Sequence, residues 1–337
     1  MKILGIDTSC DDTSAAVIEG NSRILSNIVS SQIDIHKKYG GIVPELASRM
    51  HMDMISHVAG EALLQAETDL SEIDAIAVCK GPGLIGSLLV GCGFAKAVGY
   101  SSNIPVVGVN HLEGHIFAPF LESEPAEFPF VSLIASGGHT SLYQINAFGD
   151  YEELGRTRDD AAGEAYDKIA KMMGLSYPGG PVIDRLAADG DSRAFSFPRA
   201  YIPESFDFSF SGLKTSVRRM LQTIVPDGDT SKIPVHTLHD LAASFQAAVV
   251  DVLVRKVEWV MAKRGVRFVV LTGGVSANSE LRRRMQRMVD EHGARLWLPS
   301  LSLCTDNAAM IAAAGYRHLI AGDIAGLDLN PKACLPL

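Results

Sequence analysis

Two histidines four residues apart are the side chains best suited to chemistry in this sequence. His111 and His115 bound the segment HLEGH, and residues at i and i+4 share one face of a helix. Both imidazoles could therefore bind the same metal ion. A third ligand is required, and Asp306, at the start of a later predicted helix, is one candidate among several. Two imidazoles with a carboxylate oxygen suit Zn(II) or Fe(II). The alternative to a metal site is that both histidines simply face solvent at the start of a helix.

The position of Glu113 between the two histidines argues against a metalloprotease. In zinc proteases with the HExxH motif the glutamate directly follows the first histidine, and in the inverted motif it directly precedes the last. Glu113 is in neither position. On a helix it is turned away from the line that joins His111 and His115, so a metal-bound water would lack its usual base.

Two loops of similar composition could bind an anion. Residues 7–13 read DTSCDDT and residues 136–140 read SGGHT, and each lies between two predicted strands. Small and hydroxyl residues in such loops let backbone N–H groups converge on a phosphate. Asp, Ser and Gly are also common in ordinary hairpin turns, so one such loop alone would be weak evidence. Two matching loops favour phosphate binding from two sides.

A glycine pair, Gly273-Gly274, follows an apolar strand and precedes a helix, for which Ser276 is the predicted N-cap. Either a flat ligand approaches the backbone here, or the segment is an ordinary turn. The segment does not match the dinucleotide-binding motif GxGxxG, and the sequence contains no P-loop motif. In the next helix, four arginines within residues 282–287 could contact phosphates or form a solvated face that neighbouring acids balance.

Length and composition indicate a packed, enzyme-sized protein of about two domains. Of 337 residues, 47% are hydrophobic and 20% charged, and the net charge of −9 means that nucleic acid would need a local basic patch. The five cysteines are scattered and form no CxxC pair, which favours a reducing compartment. Neither an export signal nor an apolar span of about 20 residues is visible. We therefore expect a soluble, cytoplasmic protein with no membrane association.

The elements that must position these residues occur in two similar copies. Each copy starts with a predicted three-strand meander, and a Pro- and Glu-rich linker at 122–129 separates the copies. Such a duplication predicts two similar α/β lobes facing a cleft. The first copy has predicted strands at 2–7, 13–19, 23–30, 75–79 and 105–109 and helices at 44–65 and 86–100. The second has predicted strands at 130–135, 141–145, 151–156 and 268–271 and helices at 161–173, 212–224 and 236–263.

Ten short motifs stand in order along nearly the whole chain. They are GIDTSCDDTS from Gly5, GGIVPELASR from Gly40, GPGLIGSLLVG from Gly81, NHLEGH from Asn110, SGGHT from Ser136, DDAAGEAYDK from Asp159, YPGGP from Tyr177, DFSFSGLKT from Asp207, GGVSAN from Gly273 and CTDN from Cys304. Together they closely resemble the universal YgjD/Kae family of tRNA adenosine threonylcarbamoyltransferases. So many ordered motifs make coincidence implausible.

This resemblance implies an α/β fold of the actin, sugar-kinase and Hsp70 (ASKHA) type, with two ribonuclease-H-like lobes around a central nucleotide cleft. The implied N-terminal lobe comprises residues 1–121 with about 307–330 and carries the metal-binding histidines. The implied C-terminal lobe comprises 122–306 and carries the phosphate and nucleoside loops. In the family, the two motif histidines and a late aspartate hold the metal, which assigns that role to His111, His115 and Asp306.

The implied reaction transfers the threonylcarbamoyl group of threonylcarbamoyl adenylate to the exocyclic amine of the adenosine 3′ of the tRNA anticodon, and AMP leaves. The implied cofactors are one divalent metal ion, Fe(II) or Zn(II), and an adenine nucleotide: the adenylate as substrate, and ATP used by a partner. The implied partners are tRNA, a TsaB-type paralogue and a TsaE-type ATPase.

The resemblance also implies roles for residues outside the metal site. The phosphate and carbamoyl group would be bound by Ile134, Ala135, Ser136, Gly137 and Gly138, and the nucleoside by Asp167, Gly180, Asp184 and Asn278. Asp11, in the first loop, is our candidate for the base that accepts a proton from the amine. Family members often carry Glu where this chain has Asp12, so a role that needs the longer side chain is not supported here.

Three other functions compete with this interpretation. An ATP-dependent small-molecule kinase is one, because the fold hosts many, although the two-histidine site has no obvious use in that reaction. A metalloprotease is the second, and the position of Glu113 argues against it. The third is a non-enzymatic module that binds nucleotide or partner proteins.

Overall fold

The chain divides into two compact units. The computed structural model describes all 337 residues, Met1–Leu337. The first unit comprises Met1–Pro125 and Pro299–Leu337, and the second comprises Ala126–Leu298. The domain boundaries expected from the sequence, at 121/122 and about 306/307, remain a prediction.

The first unit begins with the predicted three-strand meander and then alternates helices with strands. Its elements are β1 (Lys2–Asp7), β2 (Asp12–Glu19), β3 (Arg23–Ser31), α1 (Ile33–His36), α2 (Pro44–Gln65), β4 (Ala75–Gly81), α3 (Ile85–Ser102), β5 (Val106–Asn110) and α4 (His111–Phe117).

The second unit repeats this opening before a longer helical segment, after which the chain returns to the first unit. Its elements are β6 (Phe130–Ala135), β7 (Thr140–Ala147), β8 (Asp150–Arg156), α5 (Ala162–Met172), α6 (Gly179–Ala187), α7 (Ser211–Ile224), α8 (Val235–Arg264), β9 (Phe268–Thr272), α9 (Ser279–Glu291) and β10 (Arg295–Trp297). The returning segment forms α10 (Leu301–Cys304) and α11 (Ala308–Ile320).

Each unit contains one five-stranded sheet, and the two sheets share the same strand order. The first runs β3-β2-β1-β4-β5, and the second, read in the equivalent direction, runs β8-β7-β6-β9-β10. In both sheets the three meander strands pair antiparallel and the last two strands pair parallel. The duplication predicted from the sequence is therefore confirmed. This arrangement is the expected α/β architecture.

In the first unit, helices cover both faces of the sheet. Side chains alternate along β1, so that Ile3 packs with α11 while Leu4 and Ile6 belong to the cluster on the α2 and α3 side. The approach of α11 is close because Gly5 has no side chain: a Cβ there would lie 2.2 Å from the Ala308 carbonyl oxygen. This close packing places the start of α11 next to the end of β1.

The core of the second unit is built around α8. Its buried residues include Leu241, Phe245, Val249 and Val252, on the face that the helical periodicity predicted. This helix is long and apolar enough to cross a membrane, but 67% of its most apolar window is buried inside the structure. That burial is what a core helix requires.

Some elements were not predicted from the sequence. Helix α6 starts with Gly179-Gly180-Pro181, which reads as a turn, yet Pro178 is its N-cap residue and proline is tolerated in a first turn. The short strand β10 and helix α10 have too few residues to show a periodicity.

Candidate functional site

Three side chains predicted to bind a metal converge in the first unit. Helix α4 begins at His111, where the Asn110 side chain accepts a hydrogen bond from the Leu112 N–H at 2.9 Å. The His111 and His115 rings lie 4.7 Å apart between centroids and nearly perpendicular, at 85°. Asp306, two residues before α11, places Oδ1 3.5 Å from His111 Nε2 and 3.2 Å from His115 Nε2.

These residues fit a bound cation. The donor atoms of His111, His115 and Asp306 all lie within 4.8 Å of one another, and both imidazoles are buried. Two ring nitrogens and a carboxylate oxygen form a donor set that Zn(II) and Fe(II) accept. The second nitrogen of the buried His115 ring, Nδ1, has no hydrogen-bond partner within the chain. Buried polar atoms without partners are costly, so packing within the chain does not account for this nitrogen.

Charge coupling within the cluster leads to the same conclusion. Burial alone would raise the pKa of Asp306, but the adjacent His111 outweighs it and holds that pKa well below its usual range. Burial would lower the pKa of His111, but Asp306 and Asp7 raise it well above 6.5. The cluster thus favours a positive charge beside an ionised carboxylate, which is what a divalent ion would supply.

Asp7, at the end of β1, holds the His111 ring from its other side. Its Oδ2 lies 3.2 Å from His111 Nδ1, and its side chain is buried. A carboxylate on one ring nitrogen orients a metal-ligating histidine so that the other nitrogen faces the metal. Cys79 completes a second possible donor group with Asp7 and His111, but burial raises the pKa of its thiol to about 12. A protonated thiol is a poor ligand, so the group that contains Asp306 is the better candidate for binding a cation.

Glu113 does not face the two histidines. It is buried, and its Oε2 lies 2.7 Å from Nε2 of His318 on α11. The sequence-based expectation that this carboxylate is turned away from the histidine pair is therefore confirmed. Its partner is 205 positions away in the chain.

Asp11 lies in the loop between β1 and β2, which a buried histidine secures. His51 is on α2. Its Nε2 lies 3.0 Å from the Cys10 carbonyl oxygen, and its Nδ1 lies 2.8 Å from Thr13 Oγ1. The carbonyl can only accept, so Nε2 carries the proton and Nδ1 accepts from the threonine hydroxyl. Burial raises the pKa of Asp11, which makes it a stronger proton acceptor than an exposed aspartate. Sequence reasoning missed His51 because nothing near it in the sequence indicates a partner.

The second loop, in the second unit, offers two free N–H groups. Ile134 and Ala135 end β6, and the Ser136 N–H already donates to the His139 carbonyl at 2.8 Å. The N–H groups of Gly137 and Gly138 make no hydrogen bond within the chain, and a Cβ added to either glycine would meet no atom within 4 Å. The predicted loop therefore presents two unbonded backbone donors for an anion.

The start of α5 packs against this loop. The Gly163 N–H donates to the Ser136 carbonyl at 3.1 Å, and the Ala162 N–H donates to Thr140 Oγ1 at 2.8 Å. Gly163 must be glycine for this approach, since a Cβ would lie 2.7 Å from the Ser136 oxygen. The positive end of the α5 dipole is thus held beside the loop, which favours an anion there.

The four predicted nucleoside residues lie in the second unit, where Asp167 bonds to the neighbour of Gly180 and a second pair, Asp184 and Asn278, bond to each other. Asp167 on α5 accepts a hydrogen bond from the Gly179 N–H at 2.7 Å, beside Gly180 in the first turn of α6. Asp184, further along α6, accepts from the Asn278 side-chain amide at 3.0 Å. Gln246 on α8 joins this second pair, and no sequence signal had singled it out.

The predicted N-cap of α9 was wrong. Ser276 lies within the 3-10 turn Gly274–Ala277, and Asn278 is the N-cap residue, whose Oδ1 accepts from the Leu281 N–H at 2.9 Å. The turn shifts the helix start two residues along the chain, because the Ser276 N–H bonds back to the Gly273 carbonyl at 2.8 Å.

The arginine run of α9 is largely neutralised by acids. This favours the solvated-face interpretation over phosphate contact. The ion pairs are Arg283 with Glu280 at 2.8 Å, Arg287 with Glu291 at 2.7 Å and Arg284 with Asp251, while Arg282 Nε donates to the Ser276 carbonyl at 2.7 Å.

The two sheets have the same topology, and a glycine loop follows the first strand of the second sheet. His111, His115 and Asp306 form a possible metal-binding group. These features define an ASKHA-type α/β protein with a candidate metal centre. Full-length HypF in its phosphate- and nucleotide-bound form shares the fold, with a TM-score of 0.58 and 15% identity over 94% of this chain and 55% of HypF. ROK hexokinase from Thermus thermophilus shares it with a TM-score of 0.51 and 14% identity over 96% of this chain and 100% of the hexokinase.

Residues 23–313 match the family described as TsaD: tRNA N6-adenosine threonylcarbamoyltransferase. The tRNA N6-adenosine threonylcarbamoyltransferase of Thermodesulfovibrio yellowstonii is 60% identical to this chain over the full length of both proteins. The chain belongs to the TsaD family, which is the family that its motifs predicted.

Proposed function

We propose that this chain transfers the threonylcarbamoyl group of threonylcarbamoyl adenylate to the N6 amine of the tRNA adenosine 3′ of the anticodon, releasing AMP. Membership of the transferase family supports the activity. The observation that carries the proposal is the convergence of His111, His115 and Asp306 into one buried donor set, because neither a kinase nor a simple binding module needs it.

We propose that one divalent ion, Fe(II) or Zn(II), is held by these three side chains and that the transfer depends on it. When bound, such an ion supplies a Lewis acid that can orient the threonyl part and polarise the carbamoyl oxygen. Asp7 keeps the His111 ring in the orientation that directs Nε2 toward Asp306.

The second unit would bind the leaving group. The free N–H groups of Gly137 and Gly138 and the start of α5 support a phosphate site in the loop formed by residues 134–138. Asp167, Gly180, Asp184 and Asn278 would bind the nucleoside. Because the mixed anhydride is already activated, these residues mainly need to position it and stabilise the departing phosphate.

Transfer requires one bond to form and one to break. The lone pair of the N6 amine attacks the carbamoyl carbon, and the bond from that carbon to the phosphate oxygen breaks with its electrons leaving on AMP. The amine gives up a proton in this step. Asp11 would accept it, which its burial and raised pKa support.

We further propose that the chain works in the cytoplasm with tRNA, a TsaB-type paralogue and a TsaE-type ATPase, without membrane association. The net charge of −9 supports the need for partners, because an acidic surface repels tRNA.

Nucleoside mass spectrometry tests the proposal. Unmodified tRNA would be incubated with the purified chain, the two partners, threonylcarbamoyl adenylate and ATP, and bound metal would be measured in the same samples. We expect threonylcarbamoyladenosine with the native chain and with His57→Ala, an exposed histidine on α2. His111→Ala should give neither product nor bound metal. Product formation by metal-free His111→Ala would overturn the metal assignment.

A further inference from the structure

Gln246 joins the two nucleoside candidates Asp184 and Asn278 in one closed ring of hydrogen bonds. Its Nε2 donates to Asp184 Oδ1 at 3.0 Å, and its Oε1 accepts from Asn278 Nδ2 at 2.7 Å. Asn278 Nδ2 also donates to Asp184 Oδ1 at 3.0 Å. Three side chains from three different elements, α6, α8 and the cap of α9, therefore orient one another.

Counting donors and acceptors shows which atoms remain for a ligand. Both Nδ2 hydrogens of Asn278 are used within this ring, and its Oδ1 caps α9. Asp184 Oδ1 accepts three bonds, the third from Ser279 Oγ at 2.9 Å. Asp184 Oδ2 accepts only one, from the Ser279 N–H at 3.1 Å. A carboxylate oxygen can accept about two bonds, so Oδ2 is the atom with capacity left.

Gln246 is an unusual residue for its position. It is buried on α8 directly after Phe245, in the helix that forms the core of the second unit. A buried amide is costly unless its polar atoms are bonded, and all of its side-chain partners lie in this pair. The residue therefore serves the Asp184–Asn278 pair rather than the packing of α8.

We propose that Gln246 and Asn278 are positioning residues that hold Asp184 so that its Oδ2 accepts a hydrogen bond from the bound nucleoside. This inference rests on the proposed nucleoside site and changes the role of Asn278, which acts through Asp184 rather than on the ligand. A carboxylate only accepts hydrogen bonds. Its ligand partner must therefore be a donor, and a nucleoside offers two ribose hydroxyls and the exocyclic amine.

Calorimetric binding of four probes tests the proposal: AMP, 2′-deoxy-AMP, 3′-deoxy-AMP and purine riboside monophosphate, which lacks the amine. Gln246→Met removes both hydrogen bonds but keeps a similar shape. We expect about tenfold weaker AMP binding, the usual effect of losing a hydrogen bond to a charged group. One of the other three probes lacks the group that donates to Asp184, so its binding does not depend on how that carboxylate is held. The affinity of Gln246→Met for this probe should equal that of the native chain within about twofold.

Two further variants separate positioning from folding. Ser244→Ala, two residues earlier on α8, removes hydrogen bonds to Asp191 and Phe195 and should leave AMP affinity unchanged. Ser279→Ala removes an exposed bond to Asp184 Oδ1 and should give a smaller loss with the same probe dependence, even if Gln246→Met does not fold. A loss of equal size for all four probes would overturn the positioning role alone. No AMP binding by the native chain would overturn the nucleoside site and this proposal with it.

Discussion

Glu113, which is buried, and His318, which is half-buried, form an ion pair that joins α4 to α11, with Oε2 2.7 Å from Nε2. The other ring nitrogen of His318 lies 2.9 Å from Asp323 Oδ2, so two carboxylates flank one imidazole. Helix α4 carries His111 and His115, while Asp306 lies just before α11. The pair therefore connects the helix that carries the two candidate histidine ligands to the helix that directly follows Asp306.

This ion pair predicts a pH-dependent stability. Burial would lower the pKa of His318, but Glu113 and Asp323 raise it above 6.5. A raised histidine pKa stabilises the fold below pH 6.5, and the stabilisation disappears as pH rises through the folded-state pKa. Glu113→Gln should therefore lower the free energy of unfolding by about 1.5–3 kcal/mol at pH 6 and by less at pH 9, measured by urea denaturation. Equal losses at both pH values would contradict the ion pair.

The matched control is Glu45→Gln on α2. Its ion pair with Arg49 is exposed on both sides, and such pairs contribute at most about 1 kcal/mol. We expect the free energy of unfolding of this variant to be close to that of the native chain at both pH values.

Asp12 predicts the opposite dependence on pH. Burial, with Asp11, Asp306 and Asp7 nearby, raises its pKa from 3.8 to about 7, and its Oδ1 has no hydrogen-bond partner. A carboxyl with a raised folded-state pKa loses stability as pH rises from about 4 to about 7. Asp12→Asn should therefore gain stability over the native chain across this range, by at most about 4 kcal/mol above pH 8. Thermal unfolding at pH 4, 6 and 8 measures this gain.

Asp53→Asn, at an exposed position on α2, is the control for that series. It should show no gain at any of the three pH values. A gain of Asp12→Asn that does not change with pH would rule out ionisation of Asp12 as the cause.

The contact between Asp7 and His111 predicts a loss of metal affinity when the carboxylate is removed. Asp7→Asn keeps the size of the side chain and an acceptor for the Ser9 N–H, which bonds Oδ1 at 2.8 Å. Loss of such an orienting carboxylate typically weakens metal binding about 10–100-fold. Competition with a chelator for zinc measures the affinity, and thermal unfolding of the metal-free variant reports on folding. Unchanged zinc affinity would show that Asp7 does not orient the ligand.

The basic residues of two helices predict different effects on tRNA binding. Arg283 and Arg287 on α9 are paired with acids, whereas Arg218 and Arg219 on α7 are exposed and form no ion pair. Replacing Arg218 and Arg219 by Gln should weaken tRNA binding several-fold and lower the slope of affinity against salt by about one unit per phosphate contact. Replacing Arg283 and Arg287 by Gln should change neither. Filter binding across a salt series decides between the helices.

Local patterns predicted much of this protein correctly. The two meanders, the long helix α8 and the shared helix face of His111 and His115 depend on residues close together in the chain, where periodicity and spacing are informative. The ordered motifs also identified the family and with it the ASKHA fold. Asp306 was selected as the third ligand through the resemblance, since 191 positions separate it from His115 and no local pattern links them.

Only the tertiary structure revealed the partners of these residues. The bonds of Glu113 to His318, of His51 to the Asp11 loop and of Gln246 to Asp184 each join distant segments of the chain. Likewise, the acids that neutralise the arginine run and the turn that makes Asn278 the N-cap depend on packing. Residue types and spacing by themselves predicted a metal site at two histidines and an anion site at a glycine loop. Packing decided which atoms remain free for a ligand. Buried polar groups bond to the partners that the fold brings near them, and only atoms without such partners remain for a ligand.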